Sequence, residues 1–402
     1  PTVPEIALPG DTQDEDPGNE GLTGYVTYTN EAILGSALEI QGFYQQIDTI
    51  FTLFPGFPQT EVESEKFGLR TTVNTPVAFE PLPFDLVWGI DYLTDETSQF
   101  PVAGGPETPT GDQDAIAGFA QVEVPLGERA IITAGLRHED VTIDVSRVDP
   151  TGELQGSETL LNASASVFLN DTFTLFGGYS ESFSPGDILR ILTDGSFGTT
   201  DEVELEFVRT ENYELGLRAE TDRFRGELVT FFSESDNGAS FDADLNILTQ
   251  PEEIWGFEAS GYFEVTDQLG VGATYSFVDG EVDLDGDGEF DEDLPTTRIP
   301  PEKITAFADY AITDIWDVST QLFYSGDQSN NSTAFGGGQD IDSYVLIDLH
   351  SSIEAGPGRL SVGVTNLLNN DYLPVINQAY NSQFSNVQGP GRRLSIAYRV
   401  AL

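Results

Sequence analysis

The chain has no cysteine, no methionine and only two histidines. Without cysteine there are no disulfides, no thiolate zinc sites and no thiol nucleophile, and the composition fits a compartment in which stray thiols would oxidise. Basic residues are scarce too: 16 Lys and Arg stand against 69 Asp and Glu, a net charge of −53. A surface of that sign repels phosphate, so no nucleic acid is expected among the partners. No run reaches the ~18 to 20 apolar residues of a membrane-spanning helix, and no signal peptide is visible. The start on Pro1 without an initiator Met points to a fragment or a processed chain. Enzyme signatures are missing as well. There is no Gly-x-Ser-x-Gly elbow and no Gly-x-x-x-x-Gly-Lys phosphate loop, and at this composition pairs of carboxylates arise by chance. No catalytic residue and no required cofactor is expected.

What the chain does have is 39% hydrophobic and 11% aromatic residues, too many for an acidic chain that never orders. They alternate with polar ones. In Arg359–Leu368, Leu360, Val362 and Val364 share one face and Ser361, Gly363 and Thr365 the other. In Arg393–Leu402, Leu394, Ile396, Tyr398, Val400 and Leu402 oppose Arg393, Ser395, Ala397, Arg399 and Ala401. A period of two marks strands with unlike faces. About 17 such segments run from residue 21 to the end, among them 207–220, 223–237, 253–265 and 392–402. Residues 1–20 read as loop. No amphipathic helix stands out.

The connections alternate in length. Asn170-Asp171, Thr221-Asp222, Thr266-Asp267, Thr313-Asp314-Ile315 and Gly356-Pro357-Gly358 are tight turns. Between them lie long polar stretches at 185–206, 238–251, 283–300, 328–341 and 369–391. Short turns at one rim and long loops at the other describe an outer-membrane barrel, with the apolar face on lipid and the polar face on a wet lumen. A chain with no apolar helix can span a bilayer only in that form. Lys66, Arg70, Arg137 and Arg218 all read as inward. Such barrels have an even number of strands and end in the periplasm. The expected fold class is therefore all-β, an antiparallel transmembrane β-barrel in partial form, about 17 strands of roughly 22.

Several stretches resemble the TonB-dependent outer-membrane receptors, chiefly their siderophore-receptor branch. Arg209-Thr-Glu-Asn-Tyr-Glu-Leu-Gly-Leu-Arg218 is similar to that family's "NYELGLK" strand. Tyr275-Ser-Phe-Val-Asp-Gly280, Arg298-Ile-Pro-Pro-Glu-Lys-Ile-Thr-Ala306, Val364-Thr-Asn-Leu-Leu-Asn-Asn-Asp-Tyr372 and Gly391–Val400 follow in the family's order, as do Glu63–Arg70 and Leu86–Tyr92 earlier. The resemblance implies a Gram-negative outer-membrane location and partners in outer-membrane lipid, a ferric siderophore and the TonB complex. It makes 1–20 a remnant of an extracellular loop and 21–402 the C-terminal part of the barrel, with the plug domain absent from this stretch. A receptor for cobalamin or a carbohydrate, or a porin, shares the strand pattern. A soluble secreted β-rich adhesin would share it too, but with its apolar faces buried against protein.

Three sets of candidate residues follow. Asp283, Asp285 and Asp287, then Gly288, copy the first half of a calcium loop, and Asp291 occupies the ninth place. Leu294 stands in the twelfth, where a bidentate Glu belongs. A solvated acidic loop is the other reading of these residues. Arg147, Arg190 and Arg298 lie in or beside long loops, where a guanidinium could pair with an anionic ferric chelate. Neutralisation of nearby acids is the other, and the favoured, reading of each. Phe197, Phe335, Tyr380 and Phe384 are the loop aromatics that could line an apolar rim, or pack the loops together.

Overall fold

The computed structural model describes residues 18–51, 60–101, 110–146, 151–185, 207–241, 247–285, 287–334, 337–380 and 387–400. Arg147, Arg190, Phe197, Phe335 and Phe384 lie outside these residues. Eighteen strands belong to one sheet. In chain order they are β1 (Gly18–Ile33), β2 (Ser36–Phe51), β3 (Thr60–Val77), β4 (Phe84–Pro101), β5 (Thr110–Leu126), β6 (Ala130–Ser146), β7 (Gly152–Phe168), β8 (Phe173–Pro185), β9 (Phe207–Glu220), β10 (Phe224–Phe241), β11 (Ile247–Thr266), β12 (Leu269–Val282), β13 (Glu292–Asp293), β14 (Lys303–Thr313), β15 (Trp316–Ser325), β16 (Tyr344–Ala355), β17 (Gly358–Thr365) and β18 (Arg393–Val400). Each long strand falls on one of the periodic segments. β13 has two residues, too few for any period to show.

Three boundaries differ from the sequence reading. β1 begins at Gly18, so the last residues expected as loop are strand. The stretch 238–251 is mostly ladder, with Gly238 opposite Gln250 and Phe241 opposite Ile247. Backbone pairing continues there without apolar alternation, because ladder hydrogen bonds need no side chain. A short helix, α1 (Val375–Tyr380), sits within the expected loop 369–391.

The chain divides into two compact units. The first holds Pro1–Leu126, Ile132–Ala163 and Glu181–Arg209; the second holds Gly127–Ile131, Ser164–Ser180 and Thr210–Leu402. In the first unit β1 to β5 pair in sequence order, antiparallel. In the second, β9 to β12 pair in order, β12 takes both β13 and β14, and β14 to β18 continue in order. Order of this kind, with hairpins throughout, is what short turns impose.

The faces separate as the alternation demands. On β18, Leu394 is 66% and Ile396 67% exposed; on β9, Leu215 is 55% exposed. Leu360, Val362 and Val364 stand opposite Tyr398, Ile396 and Leu394, so the terminal hairpin carries one continuous apolar face. These side chains are not packed in a dry protein interior, as an adhesin would require. The opposite face carries ion pairs between strands. Lys66 meets Asp95 at 2.6 Å, and Asp91 receives both Arg70 at 2.9 Å and Arg137 at 2.6 Å. Arg218 pairs with Glu227 at 2.6 Å and lies over the Phe176 ring. Charges taken from bulk water on this wall are thus matched locally.

The inner face is not wet along its whole length, as the sequence reading had it. At the loop end of the first unit Ala115, Val141, Ile143, Val145 and Leu154 form a buried cluster, joined by Leu93, Phe183 and Phe207. Val141, Ile143 and Val145 continue the inward face that Arg137 and Glu139 begin. At the loop end of the second unit Val282, Leu294, Ile299 and Ala334 pack with Ile254, Val278 and Leu284. Ile254 and Val278 alternate with the exposed Trp255 and Phe257, so the loop residues Leu294 and Ile299 fold in against the inner wall. Gly280 makes room for this: a Cβ there would meet Leu294 at 2.8 Å.

Candidate functional site

The loops of the second unit make up the best-defined site-bearing region. Three connections, 283–302, 326–343 and 366–392, are fastened to one another. Thr296 donates its amide to Asn330 Oδ1 and its hydroxyl to the Gln339 carbonyl. Glu292, on β13, accepts both the amide and the hydroxyl of Thr333. The Gln339 amide reaches the Ala379 carbonyl, and the Gln378 side chain bonds both the amide and the carbonyl of Asp342. Tyr344 stacks on Tyr372 at 4.8 Å between centroids, and the Tyr372 carbonyl takes the Gly389 amide. Among the described residues, these loops hold one another by spending polar groups of one on the next.

Donation from Thr333 and the Ala334 amide holds the Glu292 carboxyl below the usual glutamate range. A depressed carboxyl stabilises the docked loop above its unfolded value, ~4.3, and that stability is lost as pH falls through the folded value. Hydrogen exchange at the Thr333 amide, corrected for intrinsic rate, should therefore stay slow at pH 5 and quicken below the glutamate range. Glu292→Gln should exchange faster than wild type at pH 5. Equal protection in the two proteins would show that the carboxylate does not fasten the loop.

The sequence-predicted residues separate clearly. Asp283, Asp285 and Asp287 come together: one oxygen from each lies within 4.8 Å of the others. Asp283 is buried and accepts the Gly288 amide at 2.9 Å, while Asp285 and Asp287 are exposed. Gly288 has φ +88°, the left-handed turn expected there. These three could hold one hard, oxygen-seeking cation such as Ca²⁺. Asp291 is exposed and outside the set. Leu294, in the twelfth place, belongs to the apolar cluster and offers nothing to a metal.

Arg298 forms an ion pair with Glu252, whose side chain is 9% exposed. It is a cross-link between the loop and β11 rather than a cation held out to solvent. Tyr380 ends α1 and is exposed, beside the exposed Ile376. Arg147, Arg190 and Phe335 are outside the described residues. Sequence reasoning missed Glu252, Glu292 and the Tyr344–Tyr372 stack. Glu252 could have been suspected as the charge matching a loop arginine, but choosing it among 69 acids requires the register.

The family model "TonB dependent receptor-like, beta-barrel" matches residues 4–367. The chain belongs to the TonB-dependent receptor β-barrel family. Among its relatives, this receptor barrel is 22% identical to the ferric aerobactin receptor of Klebsiella pneumoniae, over 95% of this chain and 59% of that protein. It thus spans about three fifths of that relative's length. The fold is also similar to solved structures: the copper transporter OprC, at TM-score 0.77 and 17% identity over 94% of this chain and 64% of that one, and the unliganded ferric citrate transporter FecA, at TM-score 0.74 and 18% identity over 94% and 61%. At these identities the structural likeness speaks for the fold.

Proposed function

We propose that this receptor barrel is the wall and outer mouth of an outer-membrane transporter that takes up a ferric siderophore, energised through TonB. The observation that carries the reading is the pairing of an outward apolar sheet with a loop cap folded into the inner mouth, on a chain whose curated relative is a ferric aerobactin receptor. Outer-membrane lipid covers the outward face. Loop side chains hold the chelate at the mouth. The charged inner wall of the second unit, with Arg218 paired to Glu227, offers a hydrated route below it. The barrel walls supply a binding surface and a path, and the chemistry of iron stays with the chelate.

The test is uptake of radioactive iron by iron-starved Gram-negative cells that lack their own receptors and express the full-length protein. Accumulation from at least one ferric siderophore, abolished when TonB is deleted, is the expected result. Failure with ferric chelates alongside uptake of cobalamin or an oligosaccharide would replace the iron reading with one of those substrates.

A further inference from the structure

The last strand has one neighbour. Among the described residues β18 pairs with β17, from Arg393 opposite Thr365 to Val400 opposite Gly358, and all eight of its residues are exposed. The backbone groups on its other side point to a free edge. In lipid every such group needs a partner, so this edge must be covered by another strand. The apolar face of β18, with Leu394, Ile396, Tyr398 and Val400, runs to that edge.

The inner face says what that strand must carry. Within each unit, cations of the inner wall stand directly opposite carboxylates on the next strand. Lys66 faces Asp95, Arg70 faces Asp91 and Arg218 faces Glu227, and each pair is an ion pair. Arg399 departs from this pattern, because the residue facing it on β17 is Arg359. Like charges directly opposite destabilise a ladder. Arg359 is relieved by Asp317, and its Nε donates to Ser352 Oγ. Arg399 has no carboxylate partner among the described residues, and β17 and β18 contain no Asp or Glu. Both arginines line an open cavity of about 660 Å³ with His350, Glu354 and Ser361. Glu354 stands opposite Arg359, two strands away from Arg399.

We propose that the free edge of β18 is covered by a strand of the same protein outside this chain, that this strand carries an Asp or Glu directly opposite Arg399, and that the pair fixes the register of the seam. The chain spans 59% of the ferric aerobactin receptor's length, so a protein of that length has chain left to supply the strand. Its register needs such a mark. A slip of two residues leaves every apolar side chain of β18 on the lipid face, because the faces repeat with a period of two. On the inner face Ser395 and Ala397 are small and uncharged, so only the arginines distinguish one register from the next. A guanidinium with a carboxylate directly opposite makes charge-assisted hydrogen bonds in one register and loses them in its neighbours. The inference rests on the barrel and is independent of what the barrel takes up.

The experiment uses the full-length protein folded into lipid vesicles. Ala397→Cys supplies one thiol on β18, and a second cysteine is stepped along each strand that could face it. The pair that forms a disulfide fastest gives the register, and the register names the residue facing Arg399. An Asp or Glu is expected there. Arg399→Glu should shift the fastest disulfide by two places or lower its yield, Arg399→Gln should do so less, and exchanging the two opposed charges should restore the wild-type register. A neutral or basic residue facing Arg399 overturns the proposal. So does a disulfide to β1 or to a second copy of the chain, or a register that Arg399→Glu leaves unmoved. Where Arg399→Glu alone does not fold, the charge-exchanged protein decides: recovery of folding supports the pair, and no recovery places the acid that Arg399 meets away from the seam.

Discussion

Leu215→Arg should cost ~2–4 kcal/mol of barrel stability if the residue lies near the bilayer midplane, whereas Glu214→Gln, one residue away, should stay within ~0.5 kcal/mol. Leu215 is exposed between Tyr213 and Leu217 on the outward face of β9, and Leu217 stands opposite Leu228 on β10. That side must meet hydrocarbon, where a guanidinium loses its water. Glu214 lies on the inner face with Arg218, which pairs across the strands with Glu227. Reversible denaturant unfolding of the full-length protein in lipid vesicles measures both changes. Were the outward face bathed in water, Leu215→Arg would be nearly neutral, and that result would remove the membrane-facing assignment. It is the largest effect expected of any single change here, because position alone decides its sign.

The second large effect is a dependence on salt. Glu211, Glu234, Glu253, Glu281 and Asp293 stand directly opposite one another across five neighbouring strands, β9 to β13. They lie on the outward side, next along the strands from Tyr213, Phe232 and Trp255, toward the loop end. Like charges facing each other across a ladder destabilise it. Screening shortens their reach from ~30 Å at about 0.01 M salt to ~3 Å at about 1 M. β13 is the weakest member, held by two residues, and Glu292 beside Asp293 fastens the loop 326–343. Exchange of the Leu294 amide, which bonds the Gly280 carbonyl, reports on this end of the row. Raising NaCl across that range should slow it by about tenfold, the size of one or two screened repulsions. Glu253→Gln/Glu281→Gln removes the charge from the two central positions and should make the exchange slow at low salt as well. An exchange rate indifferent to salt, or a double variant as salt-dependent as wild type, would show that the row carries no strain.

Much of the architecture was legible because lipid-facing strands advertise themselves. β9 coincides with the periodic segment 207–220, and the register of β17 with β18 places Leu360, Val362 and Val364 against Tyr398, Ile396 and Leu394, on the face assigned from alternation. Arg218 and Lys66 were read as inward, and both have their acids on that wall. The loops were another matter. Arg298 read either as a ligand contact or as a charge neutralising nearby acids, and the acid it pairs with, Glu252, lies 46 positions away in the chain. Asp283, Asp285 and Asp287 come together because their spacing is local, while Asp291 lies outside the set. Nothing in the sequence paired Tyr344 with Tyr372; only the return of the loop onto β16 stacks them.

The sequence by itself determined the long strands, the two unlike faces and the alternation of short and long connections, since each follows from a period of two and from turn residues read locally. The tertiary structure alone decided which charges are spent on one another and which loop residues turn inward to dry the upper wall. Those outcomes depend on register between strands and on packing between loops far apart in the chain, and no local pattern encodes either distance.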